Sequence, residues 1–221
     1  MTILVVLLVI GYQLLVTGAA AQTSAQVIMT WQADNFYPAD FGGKAPATPG
    51  TPLTVSAEVL RSGKLTDLSG ASFTWYVDEK LKGRGDGLKE IAFSASESVG
   101  DSHFVRVGIQ LEDEIFENSI RIPVSSPMVV LESPYLNQLV KSGNKIEVTA
   151  VPYFFNVDAF RDLNFFWQVN NGGIQKSGND NLLLLNIGQA PAGQTIQITG
   201  TARNVSDFFE TATSRIRLVI Y

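Results

Sequence analysis

Two segments of this chain, Phe73-Thr-Trp75-Tyr-Val77 and Phe165-Phe-Trp167-Gln-Val169, share the pattern Phe-x-Trp-x-Val. Each follows an alternating strand, Leu53-Thr-Val55-Ser-Ala57 in one case and Ile146-Glu-Val148-Thr-Ala150 in the other. Each precedes a stretch rich in Gly, Asp and Asn. The flanking distances also agree. Val55 lies 20 residues before Trp75 and Val148 19 before Trp167; Val105 lies 30 after the first Trp and Ile196 29 after the second. Ile120 follows its Trp by 45 residues and Ile216 by 49. Similar spacings around two indoles point to one folding unit present twice.

The unit is a β-sandwich by its periodicity. Leu53, Val55, Ala57 and Val59 face one way, with Thr54, Ser56 and Glu58 opposite; Val105, Val107, Ile109 and Leu111 repeat the pattern. Period-2 alternation marks half-buried strands. The segments Lys82 to Gly87, Asn170 to Gly173 and Ser177 to Asn181 are expected as turns, since Gly and Asn tolerate positive φ. No segment sustains a helical apolar period. The fold class is therefore all-β, with two tandem antiparallel β-sandwiches. Pro123-Val-Ser-Ser-Pro127 suits a connector, because proline cannot donate to a ladder. The two sandwiches are expected over 23–125 and 126–221, joined as a semi-rigid rod. Residues 31–52 hold four of the nine prolines; they read as a long loop over the first sandwich, pinned by Phe36, Tyr37 and Phe41.

Charge and composition narrow the function. A net charge of −5 argues against nucleic-acid binding, which draws on clustered Lys and Arg. With no cysteine, disulfides, thiolate metal sites and cysteine nucleophiles are excluded. Ile3 to Val16 is an apolar run, followed by Gly18-Ala-Ala-Ala21 and Gln22. Residues 1–22 thus fit a signal peptide or an N-terminal membrane anchor. Both place the rest of the chain outside the cytoplasm, in the cell envelope or secreted, with the membrane met only through that segment.

Two units of about a hundred residues, each with a Trp on its third strand, resemble the immunoglobulin-like superfamily. The likeness implies that Trp75 and Trp167 pack between the two sheets as structural core. Without the inter-sheet cysteines, bacterial Ig-like and PKD-like envelope modules are the nearer comparison. Trp75-Tyr-Val-Asp-Glu departs from the Trp-x-Phe-Gly-Asp-Gly stretch of PKD modules.

No motif names a reaction. His103 is the only histidine and falls in register with core residues of its strand, so it is expected as a packed residue and not a general base. Glu112, Asp113, Glu114 and Glu117 crowd four carboxylates into six residues, a set of oxygens suited to Ca²⁺. They lack the Asp-x-Asp-x-Asp-Gly spacing and read as a solvated hairpin tip. Arg84-Gly85-Asp86 is expected at a turn. Asn204-Val-Ser206 fits a glycosylation acceptor. Consecutive aromatics cannot all face one core, so some of Phe154, Phe155, Phe166 and Phe209 are expected at the surface or between the domains, as an interaction site. The expected function is a non-catalytic, exported binding or structural module, with no cofactor, recognising a protein or a cell-surface polymer. The alternatives are a periplasmic assembly chaperone, which needs cations converging between its two domains, and an envelope glycan hydrolase, which needs a carboxylate pair.

Overall fold

A computed structural model of the protein describes residues 25–170 and 172–221. The apolar segment expected as signal or anchor lies outside the described residues. Among the described residues no helix is long and apolar enough to cross a membrane.

The described residues fold into sixteen strands. In the first half they are β1 (Gln26–Ala33), β2 (Pro52–Arg61), β3 (Lys64–Leu65), β4 (Ser72–Val77), β5 (Lys80–Asp86), β6 (Glu90–Ser94), β7 (Ser102–Leu111) and β8 (Glu114–Pro123). In the second half they are β9 (Met128–Glu132), β10 (Leu139–Val140), β11 (Lys145–Tyr153), β12 (Leu163–Val169), β13 (Ile174–Gly178), β14 (Leu182–Asn186), β15 (Thr195–Asn204) and β16 (Thr211–Ile220). In the first half β2 is flanked by β1 and β6, against a second sheet in the order β5-β4-β7-β8. In the second half β14-β11-β9 faces β13-β12-β15-β16, and β10 runs parallel to β16 at its edge. The two halves share one antiparallel strand order, that of an immunoglobulin-like sandwich.

Each half has its own apolar core. One cluster draws on residues from Val27 to Val124, the other on residues from Val129 to Ile220. Trp75 and Trp167 sit wholly buried at the centres, each on the strand flanked by two neighbours in its sheet. Their cross-strand partners differ. Trp75 faces Val107, whereas Trp167 faces Gly200. A Cβ on Gly200 would fall 2.7 Å from Leu131 and 3.1 Å from the Trp167 ring, so only glycine lets that ring lie flat against the strand. The Trp75 indole N–H donates to the Leu88 carbonyl at 2.8 Å, while that of Trp167 is buried without a partner among the described residues.

Two turn expectations are corrected by the sheets. Lys82 to Asp86 does not turn; it lies within β5, paired along β4, and the tight turn comes earlier at Asp78-Glu79, both at positive φ. Arg84-Gly85-Asp86 is consequently extended strand. Likewise Ser177 and Gly178 close β13 instead of opening a turn.

Among the described residues the strand β14, Leu182-Leu-Leu-Leu-Asn186, pairs only with β11 and leaves one edge open. The Ala150 N–H donates to the Asn181 carbonyl and the Ile187 N–H to the Asn144 carbonyl just before β11, so alternation turns the backbone groups of Leu182, Leu184 and Asn186 outward. The outward groups of Leu182 are capped. Asp180 accepts its N–H at 3.0 Å, and Lys176 donates to its carbonyl while pairing with Asp180 at 2.6 Å. An uncharged leucine edge is a template for strand addition, and this pair blocks one end of it. Replacing both Lys176 and Asp180 by alanine is expected to produce association that rises with concentration, read as weight-average mass by sedimentation. A double variant that keeps the mass of the unaltered chain at every concentration refutes the capping role.

Candidate functional site

The longest loop of the first half, residues 34–51, does not stay on its own sandwich. Its prolines keep it from continuing β1, and it reaches the second half instead. Phe36 and Phe155 form an antiparallel bridge, with Phe36 N–H to Phe155 O at 2.7 Å and Phe154 N–H to Phe36 O at 2.5 Å. Phe41 packs against Tyr153 and Phe154, with ring centroids 6.0 and 5.3 Å away, and Phe36 against Phe160 at 6.3 Å. The aromatics expected as pins on the first sandwich therefore pin the two sandwiches to each other. The reason is packing: β11 ends on Tyr153, and the rings of Tyr153 and Phe154 stay outside the second core, which takes in Phe155.

Beside these rings runs a partly buried polar network. The Thr51 hydroxyl donates to Asn156 Oδ1 at 2.7 Å, and Asn156 Nδ2 donates to the Pro49 carbonyl at 2.8 Å. The Thr48 hydroxyl lies 2.8 Å from that of Thr51 and 3.1 Å from the Phe154 carbonyl. Both threonines are fully buried. On the far side, the backbone N–H of Asn156 donates to Glu210 Oε1 and Asn204 Nδ2 to Glu210 Oε2, each at 2.7 Å. Asn156 is thus the hub joining the loop of the first half to the β15–β16 loop of the second. Buried polar groups are costly unless paired, so the network holds the halves in one arrangement.

Glu210 carries a pH dependence. Burial pushes its carboxyl above the usual glutamate range, against the pull of its bonds from Asn204 and Asn156. The folded chain therefore holds this proton more tightly than the unfolded chain does. The stabilisation so gained is fully present below the unfolded value and is lost as pH rises through the raised folded value.

The β15–β16 loop built on this network displays two aromatics. Phe208 is 71% exposed and Phe209 96%. The loop is braced from within: Ser206 N–H bonds Asn204 Oδ1, Phe209 N–H bonds Asp207 Oδ1, and Val205 N–H bonds the Asp162 carbonyl. Of the aromatics expected at an interaction surface, Phe154 is buried in the seam, Phe155 is buried in the core of the second half, and Phe209 stands in solvent. Phe166 is half-buried on the outer face of β12, under the guanidinium of Arg203 at 5.0 Å. The four are not brought together. Asn204 is buried with its amide engaged, so its side chain is not displayed for glycosylation.

The remaining candidates resolve as structural contacts. Glu112 and Asp113 make the exposed turn between β7 and β8, Glu114 pairs with Arg61, and Glu117 is exposed further along β8. His103 is buried, and both ring nitrogens are used: the Ser96 N–H donates to Nε2 at 3.0 Å, which leaves Nδ1 to donate to Asp78 at 2.6 Å. Asp78, Glu97 and His103 bring ligand atoms within 4.8 Å of one another. With both imidazole nitrogens occupied, that trio offers a metal no nitrogen lone pair; it ties the β4–β5 turn to β7. A groove of about 470 Å³ opens at the seam, lined by Asp34, Phe36, Asn156 and Asp158 among others, with no Lys or Arg on its walls.

No family model matches the chain, and no curated protein matches it. Among solved structures it is similar to the three N-terminal domains of the highly immunogenic outer capsid protein of bacteriophage RB49, at 13% identity and TM-score 0.46 over 89% of this chain. The chain spans 59% of the length of that capsid fragment. It is also similar to fibronectin(III)-like modules of Clostridium thermocellum CbhA, at 16% identity and TM-score 0.30 over 87% of this chain and 93% of that one. A titin immunoglobulin tandem matches at 12% identity and TM-score 0.28 over 90% and 98%. By its own strand order and paired cores, the chain is an all-β tandem of immunoglobulin-like sandwiches.

Proposed function

We propose that the chain is a non-catalytic, exported module of the cell envelope, tethered or released through residues 1–22, with domains at 23–125 and 126–221. It binds a protein or a surface polymer through its outer faces and the β15–β16 loop. The observation that carries this reading is the hydrogen-bonded seam centred on Asn156. A seam of this kind fixes the relative placement of surfaces on the two sandwiches, which suits binding to an extended partner and lowers the ordering cost of association. Phe209, exposed on a braced loop, is the residue with which we place the first contact. The assembly-chaperone alternative requires cations in the angle between the domains, and the seam groove is lined by carboxylates instead.

A photo-crosslinking residue placed at Phe209 in the native cell is the test. Adducts of defined mass from that position, and none from the buried Phe155 position, are expected. Equal labelling from both positions, or none from Phe209 in an exported chain, overturns the reading. Mass measurement of the mature N-terminus decides between release and tethering.

A further inference from the structure

The charges of the second sandwich are sorted by sheet. None of β12, β13, β15 and β16 contains an Asp or Glu, in a chain of net charge −5. The corresponding sheet of the first sandwich is mixed, with Asp86 on β5 and Glu114 and Glu117 on β8. The acid-free sheet turns Trp167, Ile198 and Ala202 to the core. Alternation therefore puts Phe166, Thr201 and Arg203 on the outer face, and the register places Thr213 and Arg215 beside them with Arg217 one step along β16. Among the described residues none of these three arginines has a carboxylate partner.

Arg203 lays its guanidinium over the Phe166 ring on this same face, 5.0 Å from the centroid. Arg215 and Arg217 are exposed on one strand, two residues and so about 7 Å apart. An extended anionic chain lying along β16 meets both.

We infer that this face binds a carboxylate-bearing polysaccharide. Guanidinium forks match carboxylates in geometry and charge. The groups between them are neutral hydroxyls, with Thr201 and Thr213 in mutual contact at 2.8 Å, suited to sugar hydroxyls. A nucleic acid fits less well: the aromatic that this face presents, Phe166, is covered by Arg203, which leaves it no open platform for a base. The assignment rests on the reading of the chain as a binding module and names its partner class.

The test uses the purified full chain with polygalacturonate as probe, and neutral dextran, polyglutamate and a single-stranded oligonucleotide as comparisons. Binding to polygalacturonate is expected, weakening as salt rises from about 50 to about 200 mM. The Arg215→Gln, Arg217→Gln double variant is expected to lose affinity about tenfold or more. The Lys80→Gln, Lys82→Gln variant, altered on the other sandwich, is expected to bind as the unaltered chain does. Both variants change exposed side chains, and unchanged unfolding midpoints check their folding. Arg203→Gln supplies an independent second reduction. Equal binding of dextran, preference for the oligonucleotide or polyglutamate, or no loss in the Arg215/Arg217 variant overturns the inference. A chain that ignores polygalacturonate yet still gives adducts from Phe209 in the cell sinks this assignment alone and leaves the module reading standing.

Discussion

Trp75→Ala and Trp167→Ala are each expected to destabilise their sandwich by about 3–5 kcal/mol, the usual cost of emptying a large buried aromatic site. Domain stabilities are only about 5–15 kcal/mol, so each variant leaves its own half close to unfolding. Phenylalanine separates the two sites. Trp75→Phe removes an indole N–H that satisfies the Leu88 carbonyl, and so orphans an acceptor. Trp167→Phe removes an N–H that has no partner, which recovers part of the lost burial. Trp75→Phe is therefore expected to cost more than Trp167→Phe, by about 1–2 kcal/mol. Urea unfolding followed by far-UV circular dichroism measures both. Equal losses, or a larger loss at Trp167, contradict the difference drawn between the two cores.

Asn156→Ala carries the second large effect. It deletes the acceptor of the Thr51 hydroxyl and the donor to the Pro49 carbonyl, and Thr51 is fully buried. A lost bond of this kind is worth about 1 kcal/mol and a stranded buried hydroxyl about 1–3 kcal/mol more. The expected loss is about 2–4 kcal/mol of coupling between the halves. It is read in two ways: a single unfolding transition broadens or splits, and the small-angle scattering profile shows a wider spread of overall dimensions. Thr51→Val, which removes the hydroxyl and keeps the shape, is expected to cost at least as much, since that hydroxyl also accepts the buried Thr48 N–H at 2.9 Å. An Asn156→Ala variant with the scattering profile of the unaltered chain shows that the rings of Phe36, Phe41 and Phe154 hold the seam without the network.

Much of the fold was legible in the residues. Alternation along Leu53 to Val59 and along Val105 to Leu111 is written between near neighbours, and it gives strands β2 and β7. The offsets around the two tryptophans carried the duplication, because equivalent strands must keep equivalent spacings to share one strand order. The Gly-rich segment from Lys82 to Asp86 misled, since glycine's tolerance of turns says nothing about a neighbouring strand ready to pair. That neighbour, β4, extends it. The seam was illegible for a similar reason. Phe36 and Phe155 meet across more than a hundred positions, and no local pattern records which aromatic finds which.

What the residues alone determined is the repeated sandwich with an indole in each core, together with a charge balance that disfavours nucleic acid as a partner. Periodicity and composition are local or summed properties, so they survive without coordinates. Only the tertiary structure decided that the proline-rich loop crosses between the halves, that Asn156 joins them, and that Arg203, Arg215 and Arg217 share one face free of acids. Those outcomes depend on strand pairing and side-chain direction between distant segments, which are set when the whole chain packs at once.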